Sequence, residues 1–117
     1  MPLDTHELGQ FTGSLNWYRR GLVRTVLFTD GARYVADCAG AYWLLDEIAL
    51  AQVAKKRVAR EAFQLWKLDV AGTEGTLTCE DGNGRVVLTK PIPFTDFPAP
   101  GIRLYCCDST IMLPSEY

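Results

Sequence analysis

His6 is the only imidazole in the sequence, and the four thiols belong to Cys38, Cys79, Cys106 and Cys107. Most general-base and nucleophile-base designs need a histidine beside a second reacting group. His6 instead sits in the polar stretch Met1–Gln10 with Asp4 and Glu7, so a surface or capping role accounts for it. A structural zinc site needs about four soft ligands, and neither a CxxC nor a His-Cys pair at ligand spacing is present. Cys106 and Cys107 are adjacent and would point to opposite faces of a strand. They read as free thiols used as small apolar groups. Asp81-Gly82-Asn83-Gly84 resembles the start of a calcium loop, but the twelfth position, where a glutamate is required, is Ile92. A β-turn explains that segment. Asp37, Asp46 and Glu47 can do acid-base or glycosidic chemistry only across a cleft that separates their pKa values. Helix capping and solvation explain all three more simply. These residues predict no catalytic set, no metal and no cofactor.

Binding chemistry has two candidate surfaces. Arg19, Arg20, Arg24 and Arg33 lie close in sequence to Trp17, Tyr18 and Tyr34. Arginines grip phosphate and aromatic rings stack on bases. Trp17, Arg19, Arg20, Arg24 and Arg33 therefore form a candidate nucleic-acid surface. Equally, the arginines can cover an aromatic core or pair with Asp30 and Asp37. The second candidate is a protein-binding surface of Trp43, Phe94, Phe97 and Tyr117, since aromatic anchors suit interfaces. Core packing plus a terminal clamp is the competing explanation. Lys55, Lys56, Arg57 and Arg60 read as a solvated connector.

The elements that must position these groups fit one domain over residues 1–117. That length can bury roughly two thirds of its unfolded surface. An apolar fraction of 48% argues against intrinsic disorder. The net charge of -2, from 14 acidic and 12 basic residues, gives no general attraction to nucleic acid or anionic membrane. No run of 18 apolar residues and no signal-peptide pattern is present, so a cytoplasmic location is expected.

Residues 3–8 allow a short helical turn, and Phe11–Arg20 alternates like a strand. Leu22–Phe28 reads as a strand. Residues 30–38 fit either a helix capped by Thr29 or Asp30, or the return strand of a hairpin; the alanines at 32, 36 and 39 favour the helix. Ala41–Val53 is the clearest helix, with Ala41, Leu44, Leu45 and Ile48 on one face. The charged segment Lys55–Glu61 then leads into strands Phe63–Val70, Thr76–Glu80 and Arg85–Lys90, the last two joined by the turn at Asp81–Gly84. After a proline-rich loop, Ile102–Cys107 and Thr110–Leu113 form a final pair. The expected fold class is α+β, a mainly antiparallel sheet with helices packed on one face, its second half a meander of about four strands.

"QFTGSLNWYRR" at Gln10–Arg20, "FTDGARYVADCAGAYWLLDEIALAQ" at Phe28–Gln52, "FTDFPAPGIRLY" at Phe94–Tyr105 and "LPSEY" at Leu113–Tyr117 span almost the whole chain. Together they resemble a family of short uncharacterised bacterial proteins, a domain of unknown function often found near mobile DNA. The resemblance implies no reaction, cofactor or catalytic residue. The expected function is a non-catalytic accessory or regulatory role through a protein-interaction surface. A nucleic-acid-binding accessory protein is the alternative, and an atypical small hydrolase or transferase is third.

Overall fold

The computed structural model describes residues 17–19 and 25–117. The expected turn over residues 3–8, His6, most of Phe11–Arg20, the start of Leu22–Phe28, Arg20 and Arg24 lie outside the described residues. Strand β1 spans Trp17–Arg19 and β2 spans Leu27–Thr29. Three helices follow: α1 (Asp30–Ala39), α2 (Tyr42–Ala54) and α3 (Lys56–Ala59). Strands β3 (Phe63–Ala71), β4 (Glu74–Glu80), β5 (Val86–Ile92), β6 (Gly101–Cys107) and β7 (Thr110–Met112) complete the sheet. A 3₁₀ turn at Pro114–Glu116 ends the fold.

The helix is the correct alternative for residues 30–38. Thr29 caps it, its Oγ1 accepting from the Ala32 N–H at 3.3 Å. Gly40 ends it at a φ of 61°, a left-handed conformation that glycine adopts without a Cβ clash. Thr29 begins the turn into α1 rather than a hairpin, so Arg33–Cys38 does not pair with β2.

The sheet runs in the order β1-β2-β7-β6-β3-β4-β5. All neighbours are antiparallel except β2 and β7, which pair in parallel through Leu27↔Thr110 and Phe28↔Ile111. The class is α+β, as expected, but the second half is not a simple meander. β6 returns beside β3, with Trp66 opposite Leu104, rather than beside β5. β5 also runs on through Pro91 to Ile92. A proline is tolerated there because β5 is an edge strand, paired with β4 alone among the described residues.

Period-2 alternation puts Trp66 and Leu68 of β3, Leu77 and Cys79 of β4, and Leu104 and Cys106 of β6 on one buried face. Leu44, Leu45 and Ile48 of α2 are buried in the same cluster. The segment Lys55–Glu61 is more than a charged connector. It contains α3, and Val58 within it is fully buried.

Trp66 is the largest buried side chain, 1% exposed. Its indole N–H donates to Gln64 Oε1 at 2.9 Å. The Gln64 amide nitrogen in turn reaches the carbonyls of Val58 at 2.9 Å and Glu61 at 3.0 Å. Gln64 and Gln52 also exchange reciprocal amide bonds at 2.8 Å. One buried glutamine thus ties β3 to α2 and to both ends of the turn after α3. A second closure joins distant parts of the sequence. Glu116 Oε1 accepts from Thr29 Oγ1 at 2.6 Å and from the Leu113 N–H at 2.9 Å, while Oε2 accepts from the Gly31 N–H at 3.0 Å. The carboxylate thereby satisfies a donor at the start of α1, where negative charge is favoured.

Two outcomes follow for stability. Gln64→Leu should lower unfolding free energy by about 2–4 kcal/mol, because it strands the Trp66 indole and two carbonyls in the core. Urea unfolding should show a lower midpoint at unchanged slope. Gly31→Ala should cost about 1–3 kcal/mol, since a Cβ there collides with the Glu116 carboxyl and with Leu113 Cδ1. The cost should shrink in a Glu116→Ala background, and additive costs would show that the two residues are not coupled.

Candidate functional site

A helix lying on a sheet normally turns an apolar stripe inward and polar residues outward. α2 departs from this. Leu44, Leu45, Ile48, Ala49 and Ala51 are buried against the sheet. At 100° per residue the opposite side carries Trp43, Asp46, Glu47, Leu50, Val53 and Ala54. Leu50 is 39% exposed and Val53 64% exposed, and Trp43 is half-buried. The outward side of α2 is therefore also apolar, broken only by its two carboxylates.

Beside this flank runs a groove of about 380 Å³ between α2 and the β4–β5 edge. Leu50, Ala51 and Ala54 form one wall, and Leu77 and Leu88 the other. The Lys90 ammonium spans from β5 to α2, 2.7 Å from Glu47 Oε2 and 2.8 Å from Oε1. Both side chains are partly exposed, so this pair contributes little stability, about 1 kcal/mol or less. Past the end of α2, Lys55, Lys56, Arg57 and Arg60 are all exposed.

The expected aromatic surface does not assemble. Trp43 lies on the α2 flank, whereas Phe94 is 72% exposed in the loop after β5. Phe97 is a correction: it is a core residue, 2% exposed, with its N–H held by Thr95 Oγ1. Tyr117 is exposed but engaged, its ring 5.3 Å from Phe63 and 5.5 Å from Tyr105, centroid to centroid. Phe63 and Tyr105 meet at 4.9 Å, so the three rings form an edge-to-face trio that clamps the last residues onto the sheet. A hollow of about 590 Å³ beside them is explained by that clamp.

The described members of the basic-aromatic set are also divided. Trp17 and Arg19 are exposed on β1, while Tyr18 between them points to the other face and packs on Phe28 at 5.6 Å. Arg33 stands over the Tyr18 ring, 4.5 Å from its centroid, on that helical face. Tyr18 donates to Asp30 Oδ1 at 2.9 Å, and Arg33 lies 3.6 Å from Asp37 Oδ2. The Tyr18 hydrogen bond raises the Arg33 pKa above its ordinary value, followed by charge interactions with Tyr18 and Asp37. Asp37 also accepts from the Tyr42 hydroxyl, which raises the Tyr42 pKa. Arg33 thus fulfils the packing role rather than joining Arg19.

Catalytic groups remain scattered. The largest hollow, about 710 Å³, has carboxylates from Asp69 and Glu74 among prolines 91, 93 and 100, but its lining holds no cation, thiol or imidazole. Among the described residues no three His, Cys, Asp or Glu side chains are grouped to hold a metal. No described helix is long and apolar enough to cross a membrane.

The thiols are free and packed in the core, except half-buried Cys107. Burial pushes Cys79 and Cys106 from 9.0 up to about 12, which keeps them protonated and poorly nucleophilic at neutral pH. A folded-state pKa above the unfolded one gives stability that is complete below the unfolded pKa and lost as pH rises through the folded one. Stability should therefore fall between about pH 9 and pH 12. Urea melts across that window should show a smaller fall in Cys79→Ala/Cys106→Ala, and equal falls would reject the assignment.

Sequence reasoning passes over Leu50 and Val53. Their signal is present at i+7 and i+10 from Trp43, on the side opposite Leu44 and Ile48. No curated protein and no solved structure matches the chain. The model of DUF6876, a family of unknown function, matches residues 3–117, and the chain belongs to that family.

Proposed function

We propose that this chain is a non-catalytic accessory or regulatory domain that acts by holding a protein partner against the outward flank of α2. The observation that carries this reading is the apolar outer side of α2, with Leu50 and Val53 exposed beside the Leu77–Leu88 groove. Intramolecular packing accounts for the other large aromatics, Phe97 in the core and Tyr117 in its trio. It does not account for Leu50 or Val53. A groove with apolar walls and charged ends supplies burial at its centre and orientation at its rim, the arrangement that protein interfaces use. The reading includes a bacterial, cytoplasmic setting near mobile DNA. Its support is the resemblance of the Phe28–Gln52 and Leu113–Tyr117 segments, together with thiols packed as small apolar groups.

A photo-reactive benzoylphenylalanine in place of Leu50 tests this in cells of the host. Thr76, exposed on the β4 strand beside Asp69, is the control position. Irradiation should give discrete protein adducts from position 50 and not from position 76. No adduct from position 50, or equal adducts from both positions, would overturn the reading.

A further inference from the structure

We infer that the occupant of the α2 flank is a second copy of this chain, docked antiparallel about a two-fold axis that passes near Leu50. This rests on the docking reading above and names its partner.

The edge beside the groove narrows the kind of occupant. β5 offers an unpaired backbone edge, the usual template for an added strand. Three features blunt it. Lys90 places a charge on the edge, Pro91 removes a donor, and the β4–β5 register shifts between Cys79 and Glu80. Such devices protect edge strands from strand addition. The apolar surface that stays open belongs to a helix, so the fitting partner presents a helix.

The charge order along the flank then selects which helix. Asp46 and Glu47 lie in the first half of α2, and Lys90 neutralises Glu47, leaving Asp46 to set the sign there. Lys55, Lys56 and Arg57 follow the far end, all exposed. Leu50 lies between the two ends. Asp46 is four residues before Leu50 and Lys55 five residues after it, about 6 and 7.5 Å along the axis. A two-fold near Leu50 therefore brings Asp46 of each copy level with Lys55 of the other. Leu50 and Val53 bury each other at the centre. A parallel pairing would instead set Asp46 against Asp46 and the cations against one another. The flank is self-complementary in one direction, which is the requirement for an isologous dimer.

Sedimentation velocity on the full chain should show a concentration-dependent monomer-dimer equilibrium. Leu50→Glu/Val53→Glu should raise the dimer dissociation constant at least tenfold without lowering the thermal midpoint, since both side chains are exposed. Asp46→Lys should weaken the dimer several-fold, and adding Lys55→Asp and Lys56→Asp should restore it. The direction is read by cysteine cross-linking in a Cys107→Ser background. Leu50→Cys should form an oxidised dimer, whereas Trp43→Cys, about 10 Å from the axis along each helix, should not. A dimer untouched by Leu50→Glu/Val53→Glu, or one cross-linked equally through positions 43 and 50, overturns the inference. A monomer at every concentration also overturns it. In that case, position-50 photo-adducts with a different protein leave the docking reading standing, and their absence removes both.

Discussion

A tryptophan at the centre of a one-sided core needs an acceptor for its indole N–H, because leaving that donor buried and unpaired costs about 1–3 kcal/mol. Trp66 occupies that place, and Gln64, two residues earlier on the same face of β3, provides the oxygen. The amide nitrogen that comes with this oxygen must itself be satisfied. It finds Gln52 at the end of α2, Val58 in α3 and Glu61 just beyond. The need of one indole thus propagates into where α2 stops and how the chain turns back to the sheet. That turn also leaves the cations Lys55–Arg57 exposed at the end of α2.

The opposite end of the helical layer is fixed by charge. The first turn of α1 has donors without intrahelical acceptors, and Thr29 and Glu116 provide them. For Glu116 to reach Gly31, the segment after β7 must pass beside β2. The parallel β2–β7 pair makes that approach possible. Phe63, Tyr105 and Tyr117 then hold the same segment through ring contacts. Polar and aromatic contacts thus converge on one short stretch, which closes the sheet order around β7 and β6.

Local periodicity made much of this legible. The α2 register places Ala41, Leu44, Leu45 and Ile48 in the core, and the Asp81–Gly84 turn joins β4 to β5. The strand order was not legible, because β6 chooses β3 over β5 through side chains some forty residues apart in sequence. Val58 is hidden in a charged run, and a four-residue helix has too little length for a period to show. Gln64 continues the alternation of Trp66 and Leu68, but its polarity disguises a core position. For the site, Trp43 could be singled out as an aromatic, while Leu50 and Val53 look like ordinary core residues until the structure shows which side of α2 is covered.

The same distinction explains why the flank of α2 carries the functional argument and the more conspicuous aromatics do not. Exposed apolar residues scattered singly are normal on any protein. Phe94 is of this kind, alone in its loop. The residues on α2 differ because they repeat at helical spacing and line a groove whose far wall is also apolar. Strand β5, the nearest alternative docking element, carries charge, proline and a register shift instead. An edge closed to strands beside a helix left apolar directs association onto the helix. Its carboxylates at one end and cations at the other then give that association a direction.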